Sequence, residues 1–323
     1  MNRVIRSLLS LLASSALLMA TGAPRAAEPF PTKPLTLIVP FTGGPADTIM
    51  RALAEQAGKD LGQAVVVVNR PGAGGSLGPV MMAKTAKPDG YTVSMFSASL
   101  LSYPHMNKVD WNPLTDFTYI IGLTSDSLSL QVASASPLRT MEDLVAWARA
   151  NPGRLTYGSP GVGTTMHLVA ENLFRKLGVS ATHVPYKGTA EVIRALVAGE
   201  VMVTSDLAGA NLPFVAADRV RYLLQFNAEP APYMANVPTA RQKGYDTASS
   251  TIGIVGPKGM PEEVVQRLHA AFSKALTDPA TEKLLDDLKK ERWLQGSKAY
   301  ADWAARMDES MKDTVRAANL QGR

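Results

Sequence analysis

Two rhythms of apolar side chains run along this chain. Short apolar runs of strand length alternate with stretches in which apolar residues recur every three or four positions, and glycine or proline usually stands between them. The first run, Leu-Thr-Leu-Ile-Val at residues 35–39, empties into Pro40-Phe41-Thr42-Gly43-Gly44, and a helical pattern of Ile49, Met50, Leu53, Ala54, Ala57 and Leu61 begins at once. The pattern predicts a strand, a tight glycine loop and a helix start. The first N–H groups of a helix lack internal partners, so such a loop is a ready anion site. Many βα loops carry two glycines only to turn, and one loop does not decide between the two readings.

The same alternation continues. Residues 64–69 form a β-branched run, followed by the glycine-rich segment 72–78. Counting from Gly72 puts Leu77 where the third glycine of a dinucleotide fingerprint belongs, so that motif is absent and the segment reads as a turn with tight helix packing. A helix is predicted over 79–86 and a strand over 91–95, ending at Phe96-Ser97-Ala98-Ser99. Residues 117–132 are strand-like. Thr140 and Asp143 then cap a helix that reaches Ala150. A strand at 155–157 enters Gly158-Ser159-Pro160-Gly161-Val162-Gly163-Thr164-Thr165, and a helix with Met166, Leu168, Val169, Leu173 and Leu177 on its apolar face follows. This repeats the arrangement at Pro40. Strands at 181–186, 201–205 (ending at Asp206), 220–225 and 252–255, and helices at 189–198, 261–277, 279–291 and 298–319, complete an α/β pattern expected of a mostly parallel sheet.

Two βα blocks, each with a glycine loop before a helix, suggest two lobes facing one another across a cleft. Neither loop contains lysine or arginine. Recognition of an anion would then rest on main-chain N–H groups, on the hydroxyls of Thr42, Ser159, Thr164 and Thr165, and on water. Lys187 is the nearest point charge, and its simpler reading is a solvated lysine in the Tyr-Lys-Gly turn. Asp47 can complement the first helix dipole, or orient the loop and meet a ligand hydroxyl or ammonium. Asp206 can bind its own loop amides or select a cationic group. Phe41 can wall a pocket or pack its loop. His167 and His183 have no metal-ligand spacing about them and read as core or cap residues.

Composition bounds the class. The 323 residues are 46% hydrophobic, enough for a core and about two domains. Arg3 and Arg6 precede an apolar run at 8–19 and a small-residue segment at 21–27, which reads as a secretory signal peptide over residues 1–27. Cleavage is expected after Ala27, or near Gly22 or Ala23. Without Arg3, Arg6 and Arg25, 30 basic residues face 28 acidic ones, a net charge near +2 that gives no argument for nucleic acid. There is no cysteine for a disulfide or a lipid anchor, so a protein free in the periplasm is expected, with no metal and no cofactor.

Pro40-Phe41-x-Gly43-Gly44-x-x-Asp47, Asn69-Arg70-Pro71-Gly72-Ala73-Gly74-Gly75 and Pro88-Asp89-Gly90-Tyr91-Thr92 resemble the Bug (TctC) family of periplasmic solute receptors. Trp111-Asn112-Pro113-Leu114-Thr115-Asp116-Phe117, Tyr157-Gly158-Ser159-x-Gly161-x-Gly163, His183-Val184-Pro185-Tyr186-Lys187-Gly188 and Pro238-Thr239 continue the match over nearly the whole mature chain. The resemblance implies a type II periplasmic-binding-protein fold with two α/β domains: residues 28–128 with 228–323, and residues 129–227. It implies capture of a small carboxylate in the cleft, by a monomer, for the permease of a tripartite tricarboxylate transporter. Carried over by position, the ligand residues are Phe41, Thr42, Gly43, Gly44, Asp47, Ser97 and Ala98 in the first lobe. In the second they are Ser159, Gly161, Val162, Gly163, Thr164 and Asp206. The chain departs from the family pattern at Val68, at Ala240-Arg241-Gln242 and at Ser249-Ser250-Thr251. Two other readings share the cleft: a receptor that presents its ligand to a sensor kinase, and a secreted hydrolase using Ser159. Against the hydrolase, Gly158-Ser159-Pro160-Gly161 is not the Gly-x-Ser-x-Gly elbow, and proline lacks the N–H of an oxyanion hole.

Overall fold

The computed structural model describes residues 30–322, and the expected signal peptide lies outside the described residues. The chain opens with β1 (Leu35–Val39), α1 (Gly44–Leu61), β2 (Val65–Asn69), α2 (Leu77–Thr85), β3 (Thr92–Ser97) and α3 (Ser99–Met106). It then enters the long β4 (Phe117–Ala133). After β4 come α4 (Met141–Ala150), β5 (Leu155–Ser159), α5 (Thr165–Lys176), β6 (Ala181–Pro185) and α6 (Thr189–Ala198). The second block ends with β7 (Val203–Leu207), α7 (Leu212–Ala216) and β8 (Val220–Gln225). Last are β9 (Ser249–Pro257), α8 (Glu262–Leu276), α9 (Pro279–Asp287), β10 (Glu291–Gln295) and α10 (Ser297–Ala317).

Strand β4 joins two sheets. Its residues from Phe117 to Ser127 pair with β9, which in turn pairs with β3, so β2, β1, β3, β9 and β4 make the first sheet. From Leu128 to Ala133 it pairs with β7 and β8, and β5 and β6 continue the second. The expected parallel arrangement holds for β1–β2, β1–β3, β5–β6 and β5–β7. It fails at the centre, where β4 is antiparallel to β7, β8, β9 and β10, and β9 to β3. Apolar periodicity reports which residues are buried and not the direction in which a strand runs, so the hub was invisible to it.

Each sheet is covered on both faces, which explains its nearly continuous apolar strands. Along β1, Leu35, Leu37 and Val39 enter a core with α1, α8 and α9, while Ile38 points to the opposite core with α2, α3 and α10. Full burial of each such side chain contributes about 1.5–3 kcal/mol. In the second sheet one face packs α4 and α5, the other α6 and α7. Leu168 of α5 joins the core beneath α2 and α3, so the lobes touch. Thr140 and Asp143 form the expected capping box on α4. The helix expected over 279–291 stops at Asp287, and Glu291 begins β10 instead. The chain turns at Lys289 with φ of 54°, and the N–H of Lys290 closes back on the carbonyl of Leu285.

Candidate functional site

Because βα units place helix N-termini at the carboxyl ends of strands, four of them meet at one cavity of about 210 Å³. Phe41 to Gly44 lead into α1, Ser97 to Ser99 into α3, Thr164 and Thr165 into α5, and Lys187 to Thr189 into α6; all line its wall. The residues before α1, α3 and α6 are Gly43, Ala98 and Gly188, and no side chain caps these helices. Their first N–H groups and the positive ends of their dipoles are therefore left for an occupant that accepts hydrogen bonds and carries negative charge. A cavity of ~150 Å³ takes up benzene, so one of about 210 Å³ has room for roughly eight non-hydrogen atoms.

The first loop is held from behind. Asn69 Nδ2 donates to the carbonyl of Phe41 at 2.6 Å and to Asp47 Oδ1 at 2.7 Å. Arg51 Nε donates to Asp47 Oδ2 at 3.0 Å. Asp47 thus faces Asn69 and Arg51 and is not on the cavity wall. It sets the position of a loop whose front face, Thr42, Gly43 and Gly44, stays open.

The second loop is bound to itself. Thr164 Oγ1 donates to the carbonyl of Gly161 at 2.8 Å, Ser159 Oγ reaches the same carbonyl at 3.2 Å, and the N–H of Gly163 donates to His167 Nδ1 at 3.0 Å. Ser102 of α3 donates to the carbonyl of Gly163, tying the loop to the first lobe. Val162 also reaches across; a Cβ on Gly74 would come within 2.7 Å of its carbonyl oxygen. Of this loop's expected ligand residues, Thr164 lines the cavity, while Ser159, Gly161, Val162 and Gly163 do not. Ser159 Oγ lies 2.7 Å from His183 Nε2, the spacing of a nucleophile and its base. Ser159 is 0% exposed and off the cavity wall, so the pair is a brace. Burial lowers the pKa of His183 to about 4, which keeps the ring neutral in that brace.

The model of the tripartite tricarboxylate transporter family receptor matches residues 49–320. The chain belongs to this family. A relative described as "UPF0065 protein in gbd 5'region" from Cupriavidus necator is 40% identical, over 94% of this chain and 93% of its own. Among solved structures, MatC from Rhodopseudomonas palustris with bound malate superposes with a TM-score of 0.80 at 28% identity. That match covers 88% of this chain and 100% of MatC. A second R. palustris protein, solved with adipate, gives 0.82 at 28% identity, over 90% of this chain and 98% of its own. The receptor therefore has the two-lobed fold of periplasmic binding proteins. It is a solute-binding protein and not an enzyme, which sets the hydrolase reading aside. No helix among its described residues is long and apolar enough to cross a membrane.

Of the residues expected from sequence, the cavity brings together Phe41, Thr42, Gly43, Gly44, Ser97, Ala98 and Thr164. Asp206 is fully buried just behind the wall. It accepts from the N–H of Leu207 at 2.8 Å, from Thr189 Oγ1 at 2.9 Å and from Asn211 Nδ2 at 3.2 Å. Burial raises its pKa to about 6. The sequence reading missed Asp126 and Lys290, a buried ion pair on the receptor's cavity wall. Asp126 is the one acid in the long strand-like run 117–132, flanked by Thr124, Ser125 and Ser127, a signal that was available. Lys290 falls at the end of what reads as a helix, where a lysine looks solvated.

Proposed function

We propose that the receptor captures a small organic acid between its lobes and delivers it to the membrane permease of a tripartite tricarboxylate transporter. The observation that carries this reading is the convergence of four helix N-termini, two from each lobe and three of them uncapped, on one cavity. A carboxylate there accepts N–H groups from α1 and α3 on one side and from α5 and α6 on the other. Contacts with both lobes make its affinity depend on their closure. The neighbours solved with malate and with adipate support a carboxylate as the ligand. The family description supports the permease as the partner. We assign the first lobe to residues 28–128 and 228–323 and the second to 129–227, in keeping with the change of partner along β4 between Ser127 and Leu128. Removal of residues 1–27 on export would release a monomeric protein into the periplasm.

The test is a thermal-shift screen of the protein from residue 28 onward against mono-, di- and tricarboxylates, aromatic acids and amino acids. A ligand at 100 times its Kd adds about 2.7 kcal/mol to the stability of the form that binds it. A carboxylate class that raises the melting temperature is the expected result. No shift with any carboxylate in the screen would overturn the reading.

A further inference from the structure

One charged group in the cavity wall has no part in the binding described so far. Lys290 is brought in by the turn between α9 and β10, and its side chain is only 2% exposed. An ammonium has three N–H donors, and among the described residues Asp126 is the acceptor that Lys290 meets. Burying a charge with one partner leaves most of its lost hydration unreplaced. The other basic residues on the wall, Lys187 and Arg194, are exposed and already hydrated.

We propose that Lys290 receives a second carboxylate and so decides the ligand class, making the receptor select dicarboxylates over monocarboxylates of the same length. This rests on the reading that the helix N-termini hold a first carboxylate.

The position of Lys290 is fixed by both lobes. The preceding residues pack on Gly209 of the second lobe, where a Cβ would come within 2.5 Å of the carbonyl of Leu288. A fixed ammonium has its ordering cost met before a ligand arrives. The neighbouring acids offset its charge but do not use up its N–H donors. Asp206 is occupied by three donors, and Asp126 takes a single point on an ammonium that presents three. Burial works against the charged form of Asp126 and Lys290 restores it only in part. Phe41, Met95, Met166, Leu207 and Ile252 also line the cavity and suit a methylene chain. Room for roughly eight heavy atoms fits a short diacid.

The test is calorimetry at pH 7.5 on the protein from residue 28 onward, with matched pairs: succinate and butyrate, glutarate and valerate, adipate and hexanoate. The expected result is that for at least one pair the diacid binds about tenfold or more tightly than its partner. Lys290→Gln alone leaves Asp126 buried without a counter-ion and can fail to fold. The double variant Asp126→Asn/Lys290→Gln replaces the ion pair with neutral groups of similar shape. It is expected to bring the preferred pair within about threefold, by weakening the diacid and leaving the monoacid unchanged. Equal affinities in the parent, or a preference that survives in the double variant, would overturn the role of Lys290 and leave the carboxylate reading standing. Failure of every carboxylate to bind the parent would overturn both.

Discussion

The two glycine loops look alike in sequence and behave differently in the fold. In the first, Gly43 and Gly44 have φ of 67° and 78°, and a Cβ added to either would meet nothing within 4 Å. No side chain caps the helix that follows. In the second, Gly163 has φ of 77° but its N–H is given to His167, its carbonyl to Ser102, and a Cβ would lie 3.1 Å from Met106 Sδ. One loop keeps its donors for an incoming molecule, and the other uses them to hold two lobes in register. A shared motif marks a shared backbone shape, and the neighbours decide what the shape is for.

Exchanging each glycine for valine separates these roles. Gly163→Val adds backbone strain and drives a branched side chain into Met106 and Ser102, so the contact between lobes is lost. Carboxylate affinity by calorimetry should fall by about 100-fold or more while the separate lobes remain folded by circular dichroism. Unchanged affinity would mean that the clasp to α3 has no part in binding. Gly44→Val meets no protein neighbour, and its left-handed strain, on the order of 1–2 kcal/mol, acts on the loop face that receives the ligand, so a loss of about 5- to 30-fold is expected. A loss as deep as that of Gly163→Val would erase the distinction between the loops. The smallest effect is on stability. His183 takes up its proton near pH 4 in the fold and near 6.5 when unfolded, so stability is lost as pH falls from 6.5 toward 4. His183→Gln retains a donor for Ser159 and should flatten that decline in a melting series. Asp206, with its pKa raised to about 6, acts in the opposite sense over the same range, so the difference between variant and parent is the quantity to read.

Much of this architecture could be read from the chain because local rules and the final fold agree there. The β4 run, the Thr140–Asp143 capping box and both glycine loops are set by neighbours in sequence. What escaped was decided at a distance. Helix α3 carries Pro104 and serines at 99 and 102 and has no helical signature of its own; it is held by packing beneath the first sheet. Strand β10 is not among the expected strands, and the helix expected over 279–291 runs into its first residue, Glu291; pairing with β4 makes it a strand. Asp47 lies in the helix turn next to the loop, but Asn69, from the neighbouring strand, turns its carboxylate away from the cavity. Lys290 gains its meaning from Asp126, far away in the chain, and no spacing rule connects them.

The place of β9 in the first sheet has a consequence for how the molecule is made. β9 lies between β3 and β4, and the whole second lobe is synthesised before it appears. Until then β3 and β4, adjacent in sequence, have no hydrogen-bonded connection in their own sheet, and α8 and α10 are not there to cover its faces. The second lobe has all its strands by Gln225, whereas the first waits for the end of the chain. Such long-range closure is slow. A chain halted before Ser249 would therefore carry one finished lobe and one open sheet, whose unpaired strand edges and uncovered apolar faces a protease can reach.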